Sequence, residues 1–107
     1  MIPFKTLEEL INKHSLLEKD LSSGKIDKKL FAEKSKEYSD LNEIIQNAKK
    51  YISYEKDKSD IQKILNDKNS DAELIKMAET ELNDLKIENE NNEKKLKLFL
   101  LPKDEAD

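Results

Sequence analysis

His14 is the only histidine in this 107-residue sequence, and so the only side chain whose ordinary pKa lies close to neutrality. A catalytic or metal-ligating histidine needs partners such as a second His or a nucleophilic Cys, and the sequence has neither. His14 falls on or beside an apolar face, three residues before Leu17, and reads as a partly buried helix-packing residue. The 24 carboxylate residues are spread along charged amphipathic stretches. A catalytic carboxylate pair needs a concave, partly dry site to separate its pKa values, and slim helices offer little of that. No P-loop, glycine-rich dinucleotide turn, Ser/His/Asp set or metal-ligand spacing is present. No catalytic, cofactor-binding or metal-binding residue is therefore expected, and no cofactor. The residues point to a helical interaction or positioning module, not an enzyme.

Aromatic residues set among basic ones are the chemistry of nucleic-acid contact. Tyr38, Tyr51 and Tyr54 lie at helical spacing on or near an apolar stripe. A base-stacking platform needs exposed aromatics among basic residues, so a core role is favoured. Lys94, Lys95, Lys97 and Lys103 cluster late in the chain, and the fold expected below brings Lys28, Lys29, Lys34 and Lys36 near them. Such a cluster either touches RNA or another acidic surface, or is a solvated face. The net charge of −4 argues against non-specific nucleic-acid binding, and every basic residue is Lys, which lacks the planar fork of Arg.

The elements that would position these groups are long helices. There is one Gly and there are two Pro, while charged residues make up 41 % and apolar ones 36 %. Periodic apolar spacing at this charge content marks helices rather than disorder. With no Cys, disulfides and thiolate metal sites are excluded. No run of about eighteen apolar residues is present, so no membrane span is expected. The start, Met1-Ile2-Pro3-Phe4-Lys5, lacks a secretory signal, and a cytoplasmic location is expected.

Three helices are predicted, at about 6–22, 28–68 and 71–101. Thr6 and Glu9 form a capping box for the first, and Gly24 closes it in the left-handed conformation. Asp27 caps the second. Asn69 ends that helix, and Ser70 with Glu73 caps the third. The third helix dominates, occupying the stretch from Asp71 to Asp104. Its Ile75, Ala78, Leu82, Leu85, Asn89, Asn92, Leu96 and Phe99 recur at alternating steps of three and four, the seam of a helix facing another helix. Two of those positions are Asn; such residues either fix register in the seam or rotate to a hydrated rim.

The short turn at 66–70 makes the second and third helices an antiparallel hairpin. Folding there sets Leu65 against Leu74, Ile61 against Ala78 and Tyr54 against Leu85. It also brings Ala48 near Asn91 and Asn92, and Leu41 near Leu98. Folding at Gly24 returns the first helix onto the start of the second and the end of the third. The expected fold is all-α. A three-helix bundle draws on Leu7, Leu10, Ile11, Leu17, Phe31, Tyr38, Leu41, Ile44, Ile45, Leu96 and Phe99. It extends into a two-helix coiled-coil arm with its tip at Asn66 to Asp71, and Asn89 and Asn92 lie where bundle gives way to arm.

Three ordered stretches carry a family resemblance. They are Phe31, Ser35, Lys36, Glu37, Tyr38 and Leu41; Met77-Ala78 with Glu81-Leu82; and Leu100-Leu101-Pro102-Lys103-Asp104. Together they resemble the N-terminal domain of the bacterial peptide chain release factor one family, class-I factors that read UAA and UAG. The last stretch is the most specific. One departure is that Glu105-Ala106-Asp107 stands where the family often has Pro-Asn-Asp after the Asp.

The resemblance implies a single helical N-terminal domain over 1–107, ending before the catalytic and codon-reading domains. The family's peptidyl-tRNA hydrolysis depends on a Gly-Gly-Gln loop and its codon reading on Pro-x-Thr; this sequence contains neither. The partners it implies are the ribosome, at the large-subunit stalk base in the GTPase-associated region, the recycling GTPase factor, and the remaining domains of a full-length factor. No membrane is implied. Two other readings rest on periodicity alone: an unrelated antiparallel coiled-coil adaptor or dimerisation module, and a tRNA-contacting arm. The second predicts a basic tip, whereas 66–71 is mixed to acidic. Self-association through an apolar strip such as Ile64, Ile75 and Ile87 is a further expectation.

Overall fold

The chain departs from a three-helix reading at Glu43 and Ile44, where the long second helix is broken. The structure is a computed structural model that describes residues 1–102. It contains α1 (Phe4–Ser22), α2 (Lys28–Asn42), α3 (Ile45–Asn66) and α4 (Ala72–Leu100). At the break, the N–H of Glu43 bonds Asp40 O at 3.3 Å and that of Ile44 bonds Leu41 O at 3.1 Å, the i to i−3 pattern of a tighter turn. Ile44 has φ −122° and ψ −3°, outside helical values, and its carbonyl accepts the first bond of α3 from Ala48 N–H at 2.9 Å. No Pro or Gly stands there. Ile44 and Ile45, adjacent at the break, are both buried.

This break decides the shape. α3 and α4 form the antiparallel arm, and α1 packs on α2 and on α3. α2 touches α3 only weakly and is not packed along α4. Leu41 therefore does not meet Leu98: Leu41 is buried in the core, while Leu98 is 63 % exposed. Leu30 and Phe31 are exposed for the same reason, since α4 does not cover the first turns of α2. The core collects Ile2, Leu7, Leu17, Leu41, Ile44, Ala48, Tyr51 and Leu96, with Leu10, Ile11, Tyr38 and Phe99 half-buried against it. The described residues extend over 60 × 34 × 21 Å, with a radius of gyration of 18.6 Å. A compact chain of this length has about 13 Å, so the molecule is elongated.

Helix ends also differ from the sequence expectations. α1 begins at Phe4 after Pro3 and makes no side-chain cap, so the Thr6–Glu9 box is not formed. Instead Ile2 is buried and its N–H donates to the Tyr51 hydroxyl at 3.2 Å, while Phe4 meets Tyr51 edge to face. Tertiary contacts thus extend the helix a turn beyond its local signal. Gly24 has φ 71°, as expected. Asp27 occupies the cap position of α2, but its side chain makes no capping bond. Asn69 is not left-handed, because no residue other than Gly24 among those described has positive φ. Its N–H bonds the Asp67 carboxylate at 2.9 Å. Asp71, not Ser70, caps α4 by accepting from Leu74 N–H at 2.8 Å, and the Ser70 hydroxyl turns back to Ile64 O at 2.7 Å.

Candidate functional site

The eight seam positions of α4, from Ile75 to Phe99, are all buried or half-buried. Two polar contacts cross the hairpin. Asn47 donates to Asn92 Oδ1 at 2.9 Å, and Lys50 pairs with Glu88 at 2.7 Å. These place Asn92 opposite the Ala48 region, as the turn geometry requires. Asn92 is 6 % exposed and satisfied; Asn89 is half-buried, with a buried Oδ1 that has no hydrogen-bond partner among the described residues. Both seam asparagines thus point inward, near where α1 stops covering the hairpin.

His14 is half-buried between α1 and α2. Its ring stacks on Tyr38 with centroids 4.7 Å apart, and its Nε2 hydrogen-bonds the Asn42 side-chain carbonyl. Tyr51 is buried, and Tyr54 is half-buried with the Lys58 amine 5.3 Å from its ring centre. The tyrosines are packing residues, not an exposed stacking row. The lysines expected to converge do not gather into one packed face, because α2 is not packed along α4. Lys34 pairs with Asp20 at 2.8 Å and Lys97 with Glu93 at 3.3 Å. The bond from Lys97 holds the Glu93 carboxyl below its ordinary range, against an opposing effect of burial. Lys103 and Asp104 lie outside the described residues. Of the apolar strip, only Ile87 is exposed; Ile64 and Ile75 are half-buried.

The hairpin also builds a feature that linear spacing does not display. Between α3 and α4 runs an open cleft of about 420 Å³. Ile61, Ile64 and Leu85 contribute its apolar lining. Asp57 and Asp60 line it from α3, and Glu81, Asp84 and Glu88 from α4. Asp60 is paired with Lys56 and Glu88 with Lys50, and Asp57 accepts from the Ser53 hydroxyl. Glu81 and Asp84 have no ion-pair partner among the described residues. The same two carboxylates line a neighbouring cleft with Met77, which is 63 % exposed. Each helix alone shows scattered acidic residues; only the register brings the two sets to one groove. Among the described residues, no group of three or more His, Asp or Glu is arranged to hold a metal ion, and no helix is long and apolar enough to cross a membrane.

The PCRF domain family model matches residues 10–107. The chain is 73 % identical over 107 residues to peptide chain release factor 1 of Pelagibacter ubique (strain HTCC1062), covering all of this chain and 30 % of that protein. It is 41 % identical over 106 residues to peptide chain release factor 1 of Agathobacter rectalis, covering 97 % of this chain and 29 % of the relative. It is 37 % identical over 101 residues to that of Orientia tsutsugamushi (strain Boryong), covering 94 % and 28 %. The chain thus spans under a third of the length of these curated relatives. No solved structure matches it. The reading as an unrelated coiled-coil module falls with these matches. An all-helical chain matched by this family model over nearly its whole length belongs to the PCRF domain family.

Proposed function

We propose that this chain is the N-terminal positioning and interaction domain of a bacterial class-I peptide chain release factor, acting in translation termination on the ribosome. The observation that carries the proposal is the whole-chain similarity to peptide chain release factor 1. The shape supports it: an elongated helical hairpin, with Asn47–Asn92 bridging α3 and α4, suits a spacer that presents surfaces at a distance. The domain performs no chemistry itself. Peptidyl-tRNA hydrolysis and stop-codon reading belong to other parts of the longer factor, in keeping with the lack of Gly-Gly-Gln and Pro-x-Thr here. Its partners are the large-subunit stalk base in the GTPase-associated region, the recycling GTPase factor and the other domains of its own chain. It works in the cytoplasm, as a single domain over 1–107.

Deleting residues 1–102 from the full-length factor tests this. The expected result is weaker ribosome binding and slower termination at UAA and UAG, with hydrolysis retained at saturating factor. Unchanged ribosome affinity and rate would overturn the positioning role. Complete loss of hydrolysis by a folded deletion protein at saturation would overturn the assignment of chemistry elsewhere.

A further inference from the structure

Independently of the ribosomal role, we propose that the acidic groove between α3 and α4 is a docking surface for a basic amphipathic helix of a protein partner. Three observations combine. First, the groove has an apolar floor that includes Ile64 and Leu85, and its walls are two antiparallel helices. Such a trough takes the apolar face of a third helix, as ridges fit into grooves. At the bundle end α1 supplies a third helix; along the arm none does.

Second, the charge is one-sided and incompletely neutralised. Glu81 and Asp84 stand one turn apart without a cation among the described residues, and Asp57 faces them from α3. Carboxylates so placed repel one another, and an incoming Lys or Arg relieves that repulsion. The existing Lys56–Asp60 and Lys50–Glu88 pairs are exposed, so basic side chains can displace them at small cost.

Third, Met77 lies beside the same two carboxylates in the adjoining cleft, which Lys76 also lines, and stays exposed. An unbranched thioether adapts to varied apolar partners. Met77 thus adds an apolar contact on the α4 side of the acidic ridge. A nucleic acid is disfavoured because its phosphates meet carboxylates. A bare metal ion is disfavoured because the carboxylates are not gathered around one point.

The test is fluorescence anisotropy of a labelled Leu/Lys amphipathic helical peptide titrated with the full 107-residue chain at low salt. Glu81→Gln with Asp84→Asn should weaken binding about tenfold or more, equivalent to about 1.4 kcal/mol. The control pair Glu79→Gln with Glu90→Gln removes equal charge away from the groove and should weaken it less than about twofold, consistent with screened surface charge. Replacing the Leu residues of the peptide by Ser should also weaken binding. Circular dichroism checks that each variant folds.

Absent binding by the unmodified chain would overturn the proposal. So would equal losses in the two double variants, or equal binding of a Leu/Glu peptide. Concentration-dependent dimerisation in ultracentrifugation that Glu81→Gln with Asp84→Asn abolishes would reassign the groove to a second copy of this chain. None of these outcomes bears on the termination assay, so the two proposals stand or fall separately.

Discussion

Asn92 of α4 accepts a hydrogen bond from Asn47 of α3 at 2.9 Å, inside a seam where apolar side chains occupy most other positions. A polar pair in this place permits one register and penalises its neighbours, because a slip strands a buried amide. Asn92→Ala should therefore lower stability by about 1–3 kcal/mol, the desolvation penalty of an unsatisfied polar group. Urea unfolding followed by circular dichroism measures it. An unchanged midpoint would mean the pair contributes no register selection. Replacing both Asn47 and Asn92 by Leu should recover stability while loosening alignment, visible as extra cross-peaks in amide spectra.

Leu96 and Leu98 separate the observed packing from the simple hairpin expectation. Leu96 is fully buried in the core, and Leu98 is mostly exposed. Leu96→Ala should cost about 2–5 kcal/mol, and Leu98→Ala no more than about 0.5 kcal/mol. Comparable losses would mean that α2 lies along α4 after all, with the Glu43–Ile44 break absent.

Gly24 carries φ 71°, and a Cβ built there meets nothing within 4 Å. Any penalty for substitution is thus conformational rather than steric with neighbours. Gly24→Ala should destabilise by about 1–2 kcal/mol, the left-handed penalty for an L-residue. Gly24→Asn should lose less, since Asn tolerates that region. Equal effects from both would point to a contact, not to the dihedral. Thermal unfolding of the two variants decides it.

The Glu93 carboxyl is held below its ordinary range, first by the hydrogen bond from Lys97. A depressed folded-state pKa stabilises the fold above the ordinary carboxylate value and loses that contribution as pH falls through the depressed one. Lys97→Gln should raise the Glu93 pKa toward its ordinary value in a carboxyl NMR titration. Lys97 is exposed and Glu93 only half-buried, so the acid limb of the stability curve should change only slightly. A Glu93 pKa that does not respond to Lys97→Gln would remove the assignment.

The hairpin was legible in the residues because a helix seam follows from spacing. Eight positions of α4 at steps of three and four all turned inward, and a short turn at 66–70 dictated which residues met. The caps were less legible. Thr6–Glu9 and Ser70–Glu73 have the right letters, yet burial of Ile2 moved one start earlier, and Asp71 took the other cap. Local signals of about 1 kcal/mol yield to a buried side chain worth about 1.5–3 kcal/mol.

The groove was not legible at all. Asp57 and Glu81 are far apart in sequence, and each reads there as one more charged position of an amphipathic helix. Only two helices in a particular register place both on one rim.

By itself the amino-acid sequence determined the helical class, the α4 seam, the Gly24 turn, the hairpin register and the family resemblance. All of these depend on near neighbours or on fixed spacing along one helix. The tertiary structure alone decided the break at Glu43–Ile44, the exposure of Phe31 and Leu98, the anchoring of Ile2 on Tyr51, and the gathering of carboxylates along the arm. Those depend on which surfaces compete for burial once helices meet, which near-neighbour spacing along one helix does not encode.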